Sequence, residues 1–393
     1  YDRTVIVEDA VSGVQAGQKG AFGLVLGIAR EENTHELLLN GADIVVEDLE
    51  EIDIEGINQW FSNGLNEDKW SVTYHAYEPK KERTREALLA VGNGYFGTRG
   101  AMEETDSNPV NNPGTYIAGL YNRLASKVGD RMVENEDFVN APNWLPVNFK
   151  IGDGEWFDFN ATTFVAFRKH LNFRNGEFYR YLIVRDKEGR ETEIESRRMA
   201  GMHDPHIASL QYQITPLNYS EKITIRSGIN GDIINDGVER YKQLNQQHLR
   251  HRQQGASNSM VWVMVETTQS GISIAEAANH RVFIGDQETA INAQAVTDPA
   301  KAYLHFNFDA EAGKPVRIEK MVSIYTSKPD DVADPLEMAL KAAGVNTRYD
   351  DLLSESSKAW AELWDKIDVQ IEGNRMDQKL IRLHLYHLMV SAS

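Results

Sequence analysis

The 393 residues include no cysteine. Disulfides and thiolate metal sites are therefore excluded, and a reducing cytoplasm is the expected compartment. No apolar run has the length of a membrane span. A basic excess is also missing: 41 Lys and Arg stand against 59 Asp and Glu, a formal net charge of −18. Nucleic acid and anionic membrane are poor partners for such a chain, because nothing offsets phosphate repulsion. The basic run Arg250-His251-Arg252 is too short to change this and is expected to be a solvated loop. No signal peptide, internal repeat or low-complexity tract is visible. An opening Met is absent: Tyr1-Asp2-Arg3 leads straight into the apolar Val5-Ile6-Val7, and Ser393 falls inside an amphipathic stretch. Both ends read as cuts through folded structure, so the expectation is a fragment of a longer parent.

Two textures share the chain. Up to residue 62, short apolar strands alternate with helical stretches: Val5 to Val7, Val11 to Lys19, Gly23 to Ile28, Glu31 to Leu39, Ala42 to Val46 and Ile54 to Phe61. Such alternation with short connections predicts a parallel α/β sheet. The polar SNGLNEDK run at 62–69 marks a boundary. From Trp70 onward, short strand-like runs are separated by turn signals such as Asn93-Gly94, Pro113-Gly114, Asn175-Gly176 and Asn230-Gly231. Strands are expected at Phe178 to Arg185, Ile207 to Thr215, Lys222 to Ser227, Met260 to Thr268 and Val316 to Tyr325. This pattern predicts a large antiparallel sandwich. Helical periodicity returns at Pro335 to Ala343, with Asp334 as N-cap and Gly344 as stop. A second helix is expected over Tyr349 to Lys366, with Leu352, Leu353, Trp360, Leu363 and Trp364 on its apolar face. A short strand at Ile367 to Ile371 and a third helix at Met376 to Val390, with Leu380, Leu383 and Leu388 as core stripe, complete the reading.

Glu8-Asp9 lies at the C-terminal end of a predicted parallel strand, where open α/β sheets bind ligands. Hard oxygens there suit Mg²⁺ and phosphate; Asp9 as a plain helix N-cap is the alternative. The string VIVEDAVSGVQAGQKGAFGLVLGI at 5–28 resembles the final motif of the haloacid dehalogenase superfamily, in its β-phosphoglucomutase-like branch. The resemblance implies that residues 1–62 are the C-terminal piece of a Rossmann-like α/β domain. It also implies Mg²⁺ coordination by Asp9, with Glu8 beside it. The family's nucleophilic Asp, its phosphate-binding hydroxyl and its Lys would precede residue 1, so this portion is expected to be inactive by itself.

A second resemblance covers residues 70–393. REALLAVGNGYFGTRGAMEE at 85–104, NPGTYIAGLYNR at 112–123 and NAPNWLPVNFKIGDGEWF at 140–157 are followed by motifs starting at Arg197 and Asp236. Their ordered series is similar to the N-terminal β-super-sandwich of glycoside hydrolase family 65, which holds maltose, trehalose and kojibiose phosphorylases and some acid trehalases. LIRLHLYHLMVSAS at 380–393 resembles the first helix of that family's (α/α)6 barrel. The implied organisation is 1–62 dehalogenase-like, 63–69 linker, 70–330 sandwich, 331–372 helical linker, and 373–393 the start of a truncated barrel.

Several residues invite a site reading. Arg240, Tyr241 and His248 are the candidates for a loop reaching a neighbouring barrel and its sugar or phosphate. Trp144 and Trp156 have rings suited to sugar stacking, although burial as sandwich anchors is the expectation for each. His203-Asp204-Pro205-His206 reads as a polar strand entrance, since no third well-spaced His makes it a metal site. Gly92-Asn93-Gly94 and Gly97-Thr98-Arg99-Gly100 read as a hairpin that sets register. His384 and His387 are read as packing or surface residues. Glu103 and Glu104 are set aside as catalytic, because adjacent strand residues point to opposite faces.

The resemblance implies inversion: one carboxylic acid protonates the glycosidic oxygen while a nucleophile attacks the anomeric carbon from the other side. In the phosphorylases that nucleophile is inorganic phosphate, a substrate rather than a cofactor. The general acid Glu of the family would lie beyond residue 393. The expected parent couples phosphorolysis of trehalose or maltose, giving β-glucose 1-phosphate and glucose, to a β-phosphoglucomutase, and is a homodimer. The alternatives are an α,α-trehalase joined to a sugar phosphatase, or a non-catalytic carbohydrate-binding or assembly module. In the last case an exposed apolar face is expected around Trp360, Trp364 and Leu383.

Overall fold

A computed structural model describes residues 4–20, 22–30, 33–63, 69–128, 130–159, 162–236, 244–329, 332–345, 347–371 and 375–391. The chain divides into two compact units, residues 1–73 with 368–385, and residues 74–367 with 386–393. No helix among the described residues is long and apolar enough to cross a membrane.

The first unit holds a parallel three-stranded sheet in the order β1 (Val5–Glu8), β2 (Leu24–Ile28), β3 (Ile44–Val46). Helices α1 (Val11–Lys19), α2 (Thr34–Leu39) and α3 (Ile54–Asn63) alternate with the strands. The predicted elements are all found, with β2 and β3 starting one and two residues later than expected and α2 starting at Thr34 rather than Glu31, residues 31 and 32 lying outside the described residues. Val14 of α1 packs with Val25 and Leu37 in a small core. Gly17 lets that helix approach the sheet: a Cβ there would stand 2.6 Å from Ile6 Cγ2. The Trp60 indole donates to the Gly23 carbonyl at 2.8 Å.

The expected strand at 367–371 is not formed. Ile367 is the last residue of a helix, and Gln378 takes the backbone groups a ladder would need, accepting from Ile371 N at 2.6 Å and donating to Val369 O at 2.8 Å.

The second unit is the antiparallel sandwich that the alternation predicts. After strand β4 (Ser71–Tyr74), whose first three residues belong to the first unit, helix α4 (Glu82–Leu88) leads into a four-stranded sheet: β5 (Val91–Gly92), β6 (Phe96–Thr98), β7 (Thr115–Val128) and β8 (Arg131–Ala141). The Val91↔Thr98 and Gly92↔Gly97 pairs are the expected hairpin. A second four-stranded sheet runs β19 (Ala293–Asp298), β20 (Lys301–Asp309), β14 (Lys222–Asn230), β9 (Val147–Ile151). The large sheet runs β15 (Leu249–Ser257), β16 (Met260–Thr267), β17 (Ser273–Ile284), β21 (Val316–Thr326), β13 (Ile207–Pro216), β12 (Glu191–Ala200), β11 (Glu177–Arg185), β10 (Thr163–Asn172), with β18 (Gln287–Thr289) on β17. One core joins all three sheets, including Ile117 from the first, Ile225 and Phe306 from the second, and Leu182, Val263 and Ile318 from the third.

Arg250-His251-Arg252 corrects the loop expectation: it lies in β15, where Arg250 and Arg252 both grip Glu266 on the paired strand β16. Helix α5 (Pro335–Ala343) begins as predicted, with the Asp334 carboxylate accepting from Leu336 N and Glu337 N at 2.9 and 3.1 Å. It packs Leu336 and Ala339 on Ala275 and Ala277.

Helix α6 (Tyr349–Ile367) buries Trp360 and Trp364 rather than exposing them. Trp364 Nε1 donates to Phe173 O at 2.9 Å, and the Trp360 ring stacks on Tyr386 with centroids 5.2 Å apart. Helix α7 (Arg375–Ser391) also departs from its expected stripe: Leu383 is buried, but Leu380 and Leu388 are 43% and 58% exposed. Arg382 takes a buried place instead, forked on Asp368 and set 3.7 Å over the Trp70 ring. An amphipathic count that scores arginine as polar cannot anticipate this.

Candidate functional site

Alternation along three strands builds a cleft. In β14 the odd residues Ile223, Ile225 and Ile229 enter the core, so Thr224, Arg226 and Asn230 face outward. Leu304 and Phe306 of β20 enter the core and turn Tyr303 and His305 outward. Phe149 of β9 does the same for Asn148 and Lys150.

Register then sets these residues in rows. Asn148, Arg226 and His305 are direct neighbours across three strands. Asn143, Asn230, Lys301 and Asp298 form another row, four residues along β14 and about 13 Å away at the rise of an extended strand. Between the rows the Tyr303 ring lies against Gly228, where a Cβ would collide with it. The cleft over this face has a volume of about 470 Å³.

Its two ends differ in charge. At one end the Arg226 guanidinium is held between aromatic rings, 4.5 Å from the Trp156 centroid and 5.4 Å from that of Tyr303. Lys150 Nζ stands 5.8 Å from the same indole. Trp156 is thus half-buried, not the enclosed anchor expected, and it stacks edge-on against His305. Burial, then Arg226 and Lys150, push the His305 imidazole below its ordinary pKa, which keeps it neutral. At the other end Lys301 pairs with Asp232 at 3.0 Å. Burial, with Asp106 and Asp298 nearby, pushes the Tyr303 hydroxyl up to about 12 against the opposing effect of Arg226, so it stays a neutral donor.

The inner wall of the cleft includes Glu103 and Glu104. They lie in a turn rather than along a strand, so the opposite-faces argument does not apply and both reach Arg180. Arg198 and Ser196 also bind Glu103, at 2.7 and 2.6 Å. Burial would raise the Glu103 pKa, but Arg180 and Arg198 hold it below the ordinary carboxylate value. A carboxylate so held is a wall, not a proton donor.

The sequence-derived candidates fall elsewhere. Arg240 and Tyr241 lie outside the described residues. His248 is buried, with Nδ1 3.1 Å from Asn122 Nδ2 and Nε2 3.3 Å from Asp137, and burial pushes its pKa down. Trp144 is enclosed as expected, its indole donating to Thr98 Oγ1 at 2.9 Å. His206, in the turn just before β13, sits at the predicted polar entrance and stacks on Tyr325 with centroids 4.0 Å apart.

In the first unit, Glu8 ends β1 and Asp9 follows it. Asp9 is not the helix cap: Ala10 holds that position, and Asp9 Oδ2 accepts from Arg30 Nε at 2.9 Å. Among the described residues no group of three or more His, Asp or Glu is placed to hold a metal ion.

Sequence reasoning passed over Arg226, Lys150, Tyr303 and His305. Their signal was available as polar residues alternating with Ile, Leu and Phe, but nothing in the sequence says which strands lie side by side.

Comparison with known proteins places the second unit. The sequence model of the glycosyl hydrolase family 65 N-terminal domain matches residues 72–363. An uncharacterized glycosyl hydrolase of Mycobacterium tuberculosis is 35% identical over 328 residues, 84% of this chain and 25% of the relative. A kojibiose phosphorylase of Halothermothrix orenii is 29% identical, over 81% of this chain and 40% of its own length. An α,α-trehalose phosphorylase of Thermoanaerobacter brockii is 26% identical, over 82% and 43%. A solved structure from the human microbiome, itself only provisionally assigned as a kojibiose phosphorylase, shares the fold with a TM-score of 0.71 at 18% identity, covering 82% of this chain and 41% of that one. The chain thus spans a quarter to less than half of the length of these relatives. With its match running over residues 72–363, the chain belongs to glycosyl hydrolase family 65 and carries that family's N-terminal domain.

Proposed function

We propose that the chain is part of a bifunctional carbohydrate enzyme. Its family 65 portion serves inverting phosphorolysis of an α-glucosyl disaccharide, giving β-glucose 1-phosphate and a second sugar. The observation that carries this reading is family membership together with relatives named as kojibiose, α,α-trehalose, trehalose 6-phosphate and nigerose phosphorylases. Inversion of an α-glucoside by phosphate produces the β-anomer of the sugar phosphate. No catalytic step is assigned to a residue of this chain; the sandwich supports and shapes, and the protein is taken to act as a homodimer in the cytoplasm.

Residues 1–62 of the first unit are read as the C-terminal piece of a β-phosphoglucomutase-like domain of the haloacid dehalogenase superfamily. That domain would convert β-glucose 1-phosphate to glucose 6-phosphate, which gives the fusion a chemical reason. Glu8 and Asp9 at the C-terminal end of β1 support this placement. Asp9 Oδ1 and the Glu8 carboxylate accept no hydrogen bond from a described residue and suit a hard cation. Mg²⁺, which keeps several waters of its own, would neutralise phosphate charge there.

The test uses the product of the reading frame extended at both ends, incubated with trehalose, maltose or kojibiose, with and without phosphate, and followed by NMR. Phosphate-dependent formation of β-glucose 1-phosphate, or of glucose 6-phosphate downstream of it, is the expected result. Phosphate-independent release of two monosaccharides would identify a hydrolase and remove both the phosphorylase reading and the rationale for the fusion.

A further inference from the structure

We propose that the cleft on the outer face of the β19-β20-β14-β9 sheet is a non-catalytic binding site for a sugar phosphate, with the phosphate held at Arg226 and the sugar ring toward Asn230 and Asp298.

Four observations carry this. Arg226 has neither a carboxylate nor a carbonyl partner among the described residues; its only contacts of note are the Trp156 and Tyr303 rings, at 4.5 and 5.4 Å. A guanidinium stacked in this way has its position fixed while its in-plane N–H donors stay free, the arrangement that suits an incoming oxyanion. Second, His305 is the strand neighbour of Arg226, and its buried Nε2 has no hydrogen-bond partner. A buried polar atom left unpaired is costly, and a ligand oxygen would satisfy it. Third, Lys150, which lines the adjoining pocket with Trp156, has among the described residues no contact but the Trp156 face, and adds positive potential beside His305.

Fourth, the opposite end repels anions and suits hydroxyls. Asp106, Asp232 and Asp298 line it, with Lys301 engaged by Asp232. Carboxylates accept from sugar hydroxyls. Asn230 and Asn143 use Oδ1 to accept from Asp232 N and Leu145 N at 3.0 and 3.1 Å, which leaves their amide N–H groups for the cleft. Tyr303 forms the floor between the ends, a flat apolar surface for the face of a pyranose. An anion at one end and a polyol at the other, within a volume of about 470 Å³, describe a phosphorylated hexose better than free phosphate or a neutral sugar.

The experiment titrates the full 393-residue chain with glucose 6-phosphate, inorganic phosphate and glucose in separate calorimetric runs. Glucose 6-phosphate is expected to bind at least tenfold more tightly than either part alone, and Arg226→Gln to weaken it at least tenfold. Because the Gln variant could fold poorly, the wild type is also followed by NMR, with Trp156→Phe used to assign the Trp156 indole resonance. Movement of that resonance on adding glucose 6-phosphate supports the site. Equal affinity for inorganic phosphate, unchanged affinity in Arg226→Gln, or a Trp156 resonance that does not move while ligand binds would each overturn it. The readout involves no turnover, so its failure is distinct from failure of the phosphorylase reading.

Discussion

Arg180 and Glu104 meet in a two-pronged contact inside the sandwich, Nη1 to Oε2 and Nη2 to Oε1, both at 2.6 Å and both side chains wholly buried. The pair belongs to a polar row crossing four strands, Lys169, Arg180, Ser196 and Tyr212, each the direct neighbour of the next. Acidic residues from outside the sheet close the row: Glu82 on Lys169 at 2.5 Å, and Glu103 and Glu104 on Arg180. Tyr212 donates to Glu104 Oε1 at 2.6 Å. This layer ties the irregular segment 99–114 to the large sheet, and its Glu103 and Glu104 line the cleft.

Removing the cation from that layer is expected to be costly. Arg180→Met leaves Glu104 in the core without its cation while Glu103 keeps Arg198, and a broken buried pair costs about 3–5 kcal/mol. Urea unfolding of wild type and variant measures it; a loss below about 1 kcal/mol would show that the row is solvated in the folded protein.

Trp360 offers a separate test of packing. It stacks between Trp364 and Tyr386, with centroids 6.1 and 5.2 Å away, and its buried Nε1 has no hydrogen-bond partner. Trp360→Ala is expected to cost about 3–5 kcal/mol. Trp360→Phe should cost less than half of that, since it keeps the stack and removes an unsatisfied donor. Thermal melts of the two variants side by side decide the order.

His280 should make stability depend on acid. Its Nδ1 lies 2.8 Å from Ser259 O, which can only accept, so Nδ1 carries the proton and Nε2 accepts from Ser227 Oγ at 2.9 Å. Burial, then the nearby Lys320, push its pKa down to about 3, against the opposing Ser259 hydrogen bond. The unfolded value is about 6.5. Between these values the unfolded chain holds the extra proton. The stabilisation is therefore complete above pH 6.5 and is lost as pH falls toward 3, at up to about 1.4 kcal/mol per unit. Unfolding free energies at pH 7, 6, 5 and 4 are expected to fall more steeply for wild type than for His280→Asn.

A smaller effect is expected at the start of α5. Asp334→Ala removes the acceptor for Leu336 N and Glu337 N and should cost about 1 kcal/mol. Asp334→Ser, which can cap, should recover most of it. Equal loss in both variants would mean that the carboxylate acts through charge instead.

Much of this protein was legible in local pattern. Alternating Ile and polar residues in 222–230 fix which side of a strand is buried, because successive side chains point to opposite faces whatever the strand pairs with. The Asp334-Pro335 start and the strand-helix alternation before residue 62 are likewise written in spacing and capping chemistry. Family membership was legible in the ordered motifs between residues 85 and 250.

Only the tertiary structure decided what depends on which strands adjoin. Arg226 and His305 are 79 positions apart in sequence and become neighbours through the pairing of β14 with β20. Glu104 reaches Arg180, 76 residues away, by leaving the strand geometry that would have turned it outward. Leu380 and Leu388 are exposed where a core stripe was expected, whereas Arg382 is buried against a carboxylate and an indole, since a charged group is buried where a partner compensates its desolvation. Sequence determines the face each residue presents. The fold supplies the partners, and a buried charge or an open cleft exists only through them.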